Sequence, residues 1–229
     1  MLRRALPFAP FVVVSLIHLA VKLFGLVPFD QATKPLLMPM LILGIVLVLL
    51  REPRVRRPST LAALLAGVGL SWLGDVTLVQ FEVGLGFFVA AHIAYVAAFA
   101  TLPARGVSAW GLLVVPWFAA LVVLIAPVIG PLLPLVAVYG AVLAAMAVAA
   151  TRGNWLSVVG GVLFIASDTL LAFRLFTPLF QTPPEDVLIM GLYLAAQALL
   201  TGGLLRASRT PPRVEPGVDR PTTDEENPA

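Results

Sequence analysis

Gly67-Val68-Gly69-Leu70-Ser71-Trp72-Leu73-Gly74-Asp75 lies inside a long apolar run and ends on a carboxylate. A second stretch, Gly160-Gly161-Val162-Leu163-Phe164-Ile165-Ala166-Ser167-Asp168, has the same form. Hydrocarbon does not solvate an ionised side chain, so an acid at such a depth faces a protein interior or a wet cavity. Asp75 and Asp168 therefore decide both the fold class and where function is sought.

The surrounding composition agrees. Of 229 residues, 60% are hydrophobic and 12% charged, with a mean hydropathy of +1.00. Soluble domains carry about a quarter charged residues. The chain reads as an all-α polytopic membrane protein. Apolar runs at 7–26, 35–50, 60–79, 84–102, 108–125, 132–150, 155–176 and 186–205 give about eight transmembrane helices, each near the spanning length. Met1-Leu2-Arg3-Arg4 before the first run resembles the start of a signal peptide. The run is too long for one and no small-x-small cleavage site follows, so a first membrane helix is expected. Prolines 28, 53, 58, 103, 127, 131, 183 and 184 fall between the runs as breakers.

With eight crossings Arg3, Arg4, Arg51, Arg54, Arg56, Arg57, Arg105, Arg152, Arg206 and Arg209 share one side. Positive loops face the cytoplasm, so both termini are expected there. The pI near 9.8 then reports helix orientation, and no nucleic-acid partner is expected. Cysteine is absent, which excludes disulfides, thiolate metal sites and a cysteine nucleophile.

Domain organisation follows from repetition. Gly67, Leu70, Asp75 and Leu78 match Gly160, Leu163, Asp168 and Leu171 at one constant offset. In the next helix of each half, the segment ending at His92 resembles the segment ending at Gln197. Residues 1–206 are read as one transmembrane domain built from two parallel four-helix repeats, about 7–103 and 108–206. Residues 207–229, polar and Pro-rich, are read as a disordered cytoplasmic tail.

Gly67, Ser71 and Asp75 share a helix face, as do Gly84, Phe88, His92 and Tyr95, and again Tyr193, Gln197 and Thr201. A polar pocket is expected to contain Asp75, Asp168, Lys34, His92, Tyr95, Tyr193 and Gln197. Ser71 and Ser167 read mainly as helix contacts, and Trp72, Trp110, Trp117 and Trp155 as packing and interfacial anchors. His18 and Lys22 sit one turn apart, closer to an interfacial position than to the pocket. A metal site from His18, His92, Asp75 and Asp168 is weakly supported, because no short ligand motif is present; no metal is assigned.

Lys34-Pro35-Leu36, Ser71-x-x-Gly74-Asp75, His92-x-x-Tyr95, Gly161…Ser167-Asp168 and Tyr193…Gln197 together resemble the YhhN-like lysoplasmalogenases across residues 7–206. The resemblance implies an integral protein of the cell (inner) membrane. It would hydrolyse the vinyl ether bond of a lyso-ether phospholipid without an organic cofactor, giving a fatty aldehyde and a glycerophospho-alcohol. Two carboxylates in one apolar site do not readily both ionise. One can then hold a proton for the vinyl ether while the other activates water, as in glycosidases. Asp75 and Asp168 are the expected pair. Lys34, His92, Tyr95, Tyr193 and Gln197, with Ser71 and Ser167 nearby, are expected to bind substrate or tune the acids. Two competing readings remain: a small-molecule or lipid transporter or flippase with a midplane acidic site, and a metal-dependent lipid hydrolase.

Overall fold

A computed structural model describes residues 6–52, 57–103 and 106–209. Arg3, Arg4, Arg54, Arg56, Arg105 and the tail from residue 210 lie outside the described residues. The helices are α1 (Ala9–Leu23), α2 (Val27–Thr33), α3 (Leu37–Arg51), α4 (Pro58–Thr77), α5 (Phe81–Ala100), α6 (Val114–Ile129), α7 (Leu133–Ala150), α8 (Trp155–Phe176) and α9 (Pro183–Ala207). Short 3-10 turns cover Leu6–Phe8, Lys34–Leu36, Ala109–Leu113 and Gly130–Leu132. Among the described residues, seven helical segments are long and apolar enough to cross a membrane. The longest, Ala109–Ala150, has 42 residues and contains both α6 and α7.

Proline chemistry explains where these boundaries depart from the apolar runs. Pro28 stands in the first turn of α2, a short helix that the sequence reading did not separate. A proline there has no amide hydrogen to lose and a backbone angle already suited to helix. Pro183 and Pro184 likewise open α9, whose start is fixed by a capping box of Thr182 and Glu185. The Thr182 amide donates to Glu185 Oε2 at 2.7 Å. Pro127 does not end α6; the helix runs on to Ile129. Only its last turn loses a hydrogen bond, so the cost is confined there. The chain reverses at Gly130, where φ is 58°, a backbone state a residue without Cβ adopts freely.

Two helix hairpins, α4 with α5 and α8 with α9, form the most closely packed parts of the bundle. Small residues permit this closeness. A Cβ on Gly160 would lie 2.9 Å from the Leu200 amide nitrogen, and one on Gly67 would lie 2.8 Å from the Tyr95 ring. The interior holds Leu41, Tyr95, Phe99, Met146, Phe164 and Leu200, all fully buried. Large apolar side chains such as Leu16 and Val123 point outward, as expected where the surrounding solvent is lipid.

The two ends of the bundle carry different polar ties. At one, the Arg57 amide donates to Ser208 O at 3.0 Å, and the Thr60 and Thr101 hydroxyls meet at 2.7 Å. Arg209 Nη2 pairs with Glu52 there at 2.6 Å. At the other end Lys22, Asp30, Arg174 and Asp186 form an ion-pair network.

Candidate active site

A cavity of about 380 Å³ opens among α4 to α9 near the end that carries Lys22 and Asp186. Asp75, in the last turn of α4, and Asp168, just past the midpoint of α8, both line it. Lys34, Tyr193 and Ser167 line it as well. Apolar side chains, including Leu121, Leu171 and Phe176, make up most of the remaining wall. A largely apolar hollow with a few convergent polar groups is the usual form of a small-molecule site.

Asp75 is 8% exposed. Its Oδ1 lies 3.7 Å from Lys34 Nζ, and its Oδ2 accepts a hydrogen bond from the Tyr193 hydroxyl at 2.8 Å. The turn that presents Lys34 is fastened to α4 by Trp72, whose indole N–H donates to Pro35 O at 2.9 Å. Trp72 is therefore more than packing. Trp117 enters the cavity wall, while Trp110 and Trp155 are exposed on the surface.

Behind Asp75 a buried network ties three helices together. The Tyr95 hydroxyl donates to Gln197 Oε1 at 2.5 Å, and Gln197 Nε2 donates to Ser71 Oγ at 3.0 Å. The same amide nitrogen is 3.4 Å from the Tyr193 hydroxyl. Tyr95, Gln197 and Ser71 are fully buried and are not part of the cavity wall. Their satisfied polar groups cost little to bury and fix the positions of their neighbours. His92 also sits behind the wall. Its Nδ1 donates to Phe88 O at 2.6 Å, its ring packs edge-on against Phe164 and Tyr139, and its Nε2 is buried with no hydrogen-bond partner.

Asp168 has a different neighbour. The Tyr139 hydroxyl donates to Asp168 Oδ2. Tyr139 is on α7 and lines the cavity, and the sequence reading passed over it. A signal was present: the chain has three tyrosines, and a phenol inside an apolar helix needs an acceptor. All three meet here. Ser167, beside Asp168, donates to Ile189 O at 2.9 Å and joins α8 to α9.

The remaining candidates separate. Lys22 lines the cavity. His18 is buried, with Nδ1 2.8 Å from Thr33 Oγ1. Among the described residues no three His, Asp or Glu side chains group as metal ligands, so His18, His92, Asp75 and Asp168 do not converge on one point.

The arrangement can place one proton donor and one base around a single apolar-walled volume. A model of the YhhN family matches residues 29–204. No curated protein matches the chain, and no solved structure does.

Proposed function

The chain belongs to the YhhN family, and from that membership and its paired carboxylates we propose that it is a membrane-embedded lysoplasmalogenase. It cleaves the vinyl ether bond of a lysoplasmalogen to a fatty aldehyde and glycerophosphoethanolamine or glycerophosphocholine. The observation that carries this reading is that Asp75 and Asp168, from two separate hairpins, line one cavity beside Lys34.

The partners of the two acids support a division of roles. Asp75 faces a cation, Lys34, at 3.7 Å, which suits a carboxylate that works ionised. Asp168 is held by the neutral phenol of Tyr139, which suits a carboxylic acid that works protonated. Asp168 donates its proton to the β-carbon of the vinyl ether, and the electron pair of the double bond forms the new C–H bond. The resulting oxocarbenium ion takes the oxygen of a water whose proton passes to Asp75. The hemiacetal then gives its hydroxyl proton to Asp168 and its ether oxygen takes the proton from Asp75. The carbon–oxygen bond breaks, aldehyde and alcohol leave, and both acids return to their starting state. Lys34 and Tyr193 hold Asp75 in place, and Tyr139 holds Asp168; Ser71, Tyr95, His92 and Gln197 position these groups from behind, and Ser167 fixes α8 against α9 at the wall.

The wider organisation is proposed with it. Forty-two residues of helix would reach about 63 Å, about twice the hydrocarbon thickness. Ala109–Ala150 therefore crosses twice, bending at Gly130, and the protein makes eight crossings of the cell (inner) membrane with both termini cytoplasmic. The equivalent packing of α4 on α5 and α8 on α9 supports two parallel repeats, about 7–103 and 108–206, ahead of a tail at 207–229.

The test is release of fatty aldehyde from a lysoplasmalogen by the purified protein. General acid–base groups contribute about 10²–10⁴-fold, and Asp75→Asn and Asp168→Asn are each expected to lose activity on that scale. Near wild-type turnover in either variant would remove the paired-acid mechanism. A second reading, a lipid transporter, draws on one observation. An apolar cleft of about 510 Å³, lined by Val96, Ala144 and Arg152 among others, shares the Phe118 ring with the cavity. Movement of a labelled lyso-lipid across proteoliposomes without aldehyde release would favour transport.

A further inference from the structure

The mouth of the cavity carries charges of which the hydrolysis uses only Lys34. Lys22, Lys34 and Asp186 line it. Lys22 Nζ lies 3.1 Å from Asp186 Oδ2 and 3.3 Å from Asp30 Oδ1, and Arg174 Nε lies 3.8 Å from Asp186 Oδ1. The Lys22 side chain is 15% exposed, against 29% for Asp186 and 34% for Asp30. The ammonium is thus sunk between two wetter carboxylates, and the Lys22–Asp186 pair spans the opening from α1 to α9.

Three cations (Lys22, Lys34, Arg174) pair with three carboxylates (Asp30, Asp75, Asp186), so this set of ion pairs is electrically balanced as it stands. A balanced site discriminates among headgroups by what each would leave over. A phosphate monoester adds negative charge beside three carboxylates. A neutral glycerol head offers the ions nothing. A phosphodiester with an ammonium a few bonds away adds no net charge and can take the place of the Lys22–Asp186 contact with two new ones. Partly exposed ion pairs are weak, so that exchange meets little resistance.

We propose that Lys22, Lys34 and Asp186 form a headgroup subsite for a zwitterion. The phosphate lies between the two lysines and the ammonium lies on Asp186. Asp30 and Arg174 keep Lys22 and Asp186 in place when their mutual contact is exchanged for the headgroup. The inference rests on the lyso-lipid reading for its orientation: phosphate at Lys34 brings the ether bond beside Asp75.

The experiment measures binding of non-cleavable saturated alkyl-ether lyso-lipids to the purified full-length protein in detergent. Three heads on one chain length serve as probes: phosphocholine, a phosphate monoester, and the bare monoalkylglycerol. Wild-type protein is expected to bind the phosphocholine lipid about tenfold more tightly than either of the others, as charge complementarity across an interface sets preference. Asp186→Asn is expected to abolish the preference over the phosphate monoester. Lys22→Gln is expected to weaken both phosphate-bearing probes and leave the monoalkylglycerol unchanged. Asp186→Glu, which keeps the charge, is expected to keep the order of preference, and thermal unfolding of each variant reports whether the helices stay packed. Equal binding of the three probes by wild-type protein would overturn the proposal, as would an unchanged preference in folded Asp186→Asn. Binding needs no turnover, so a zwitterion preference without aldehyde release would sink only the hydrolase reading. Aldehyde release without the preference would sink only the subsite.

Discussion

Asp75 and Asp168 come from two closely packed hairpins and line one cavity, yet they are held differently. Asp75 has a lysine on one oxygen and a tyrosine on the other, and that tyrosine leans on the Gln197 network. Among the described residues, Asp168 has one hydrogen-bond donor, Tyr139, and no paired cation. Each hairpin brings one acid to the same cavity; the helices packed around them make the acids unlike. Two identical carboxylates would compete for one role, whereas unlike ones can divide proton donation from water activation.

The comparison can be broken at several points. The largest effect is expected from removing the acids. Asp168→Asn should reduce turnover by about 10²–10⁴-fold with little change in lipid binding, because the amide keeps the shape and cannot protonate carbon. Parallel binding and rate measurements check this. Lys34→Gln should come next, with aldehyde release falling by about tenfold or more, since an uncompensated carboxylate interior to the bundle loses its charge partner; Lys34→Arg should retain part of the rate.

Tyr139→Phe and Tyr193→Phe sharpen the contrast. Each leaves a cavity-lining carboxylate one hydrogen bond short, at a cost of about 1–3 kcal/mol. Asp75 keeps Lys34 after Tyr193→Phe, while Asp168 keeps no comparable partner after Tyr139→Phe. The rate should therefore fall further in Tyr139→Phe, and equal losses would argue against the division of roles. The smallest effect should come from the glycines. Gly160→Ala presses on backbone at Leu200, which cannot swing aside, and Gly67→Ala presses on the Tyr95 ring, which shifts only by disturbing its bond to Gln197. Overpacking of this kind costs about 1–3 kcal/mol. Thermal unfolding in detergent should show Gly160→Ala as the less stable variant, and activity should show Gly67→Ala as the more impaired relative to its stability, because Tyr95 anchors Gln197.

Much of the site was legible because charge inside an apolar run is conspicuous. Asp75, Asp168 and Lys34 stand out for that reason, and Ser71, Tyr193 and Gln197 follow from helical spacing. Tyr139 was not legible in the same way. A single phenol in an apolar helix has no periodic partner, and its acceptor is on another helix. Prolines misled in the other direction. Pro127, Pro183 and Pro184 look like breakers in a linear reading, but position within a helix decides their effect, and that position depends on Gly130 and on the Thr182–Glu185 cap. Lys22 read as interfacial because its partners Asp30 and Asp186 come together only when α1, α2 and α9 assemble.

The bond from Tyr193 to Asp75 joins residues on α9 and α4. Chains emerge from the ribosome N-terminus first, so both acids are made before the hydroxyl that steadies Asp75. A nascent bundle lacking α9 carries two acids, with Lys34 alone to hold the first. Arrival of that helix is the event that turns an inserted bundle into a finished site.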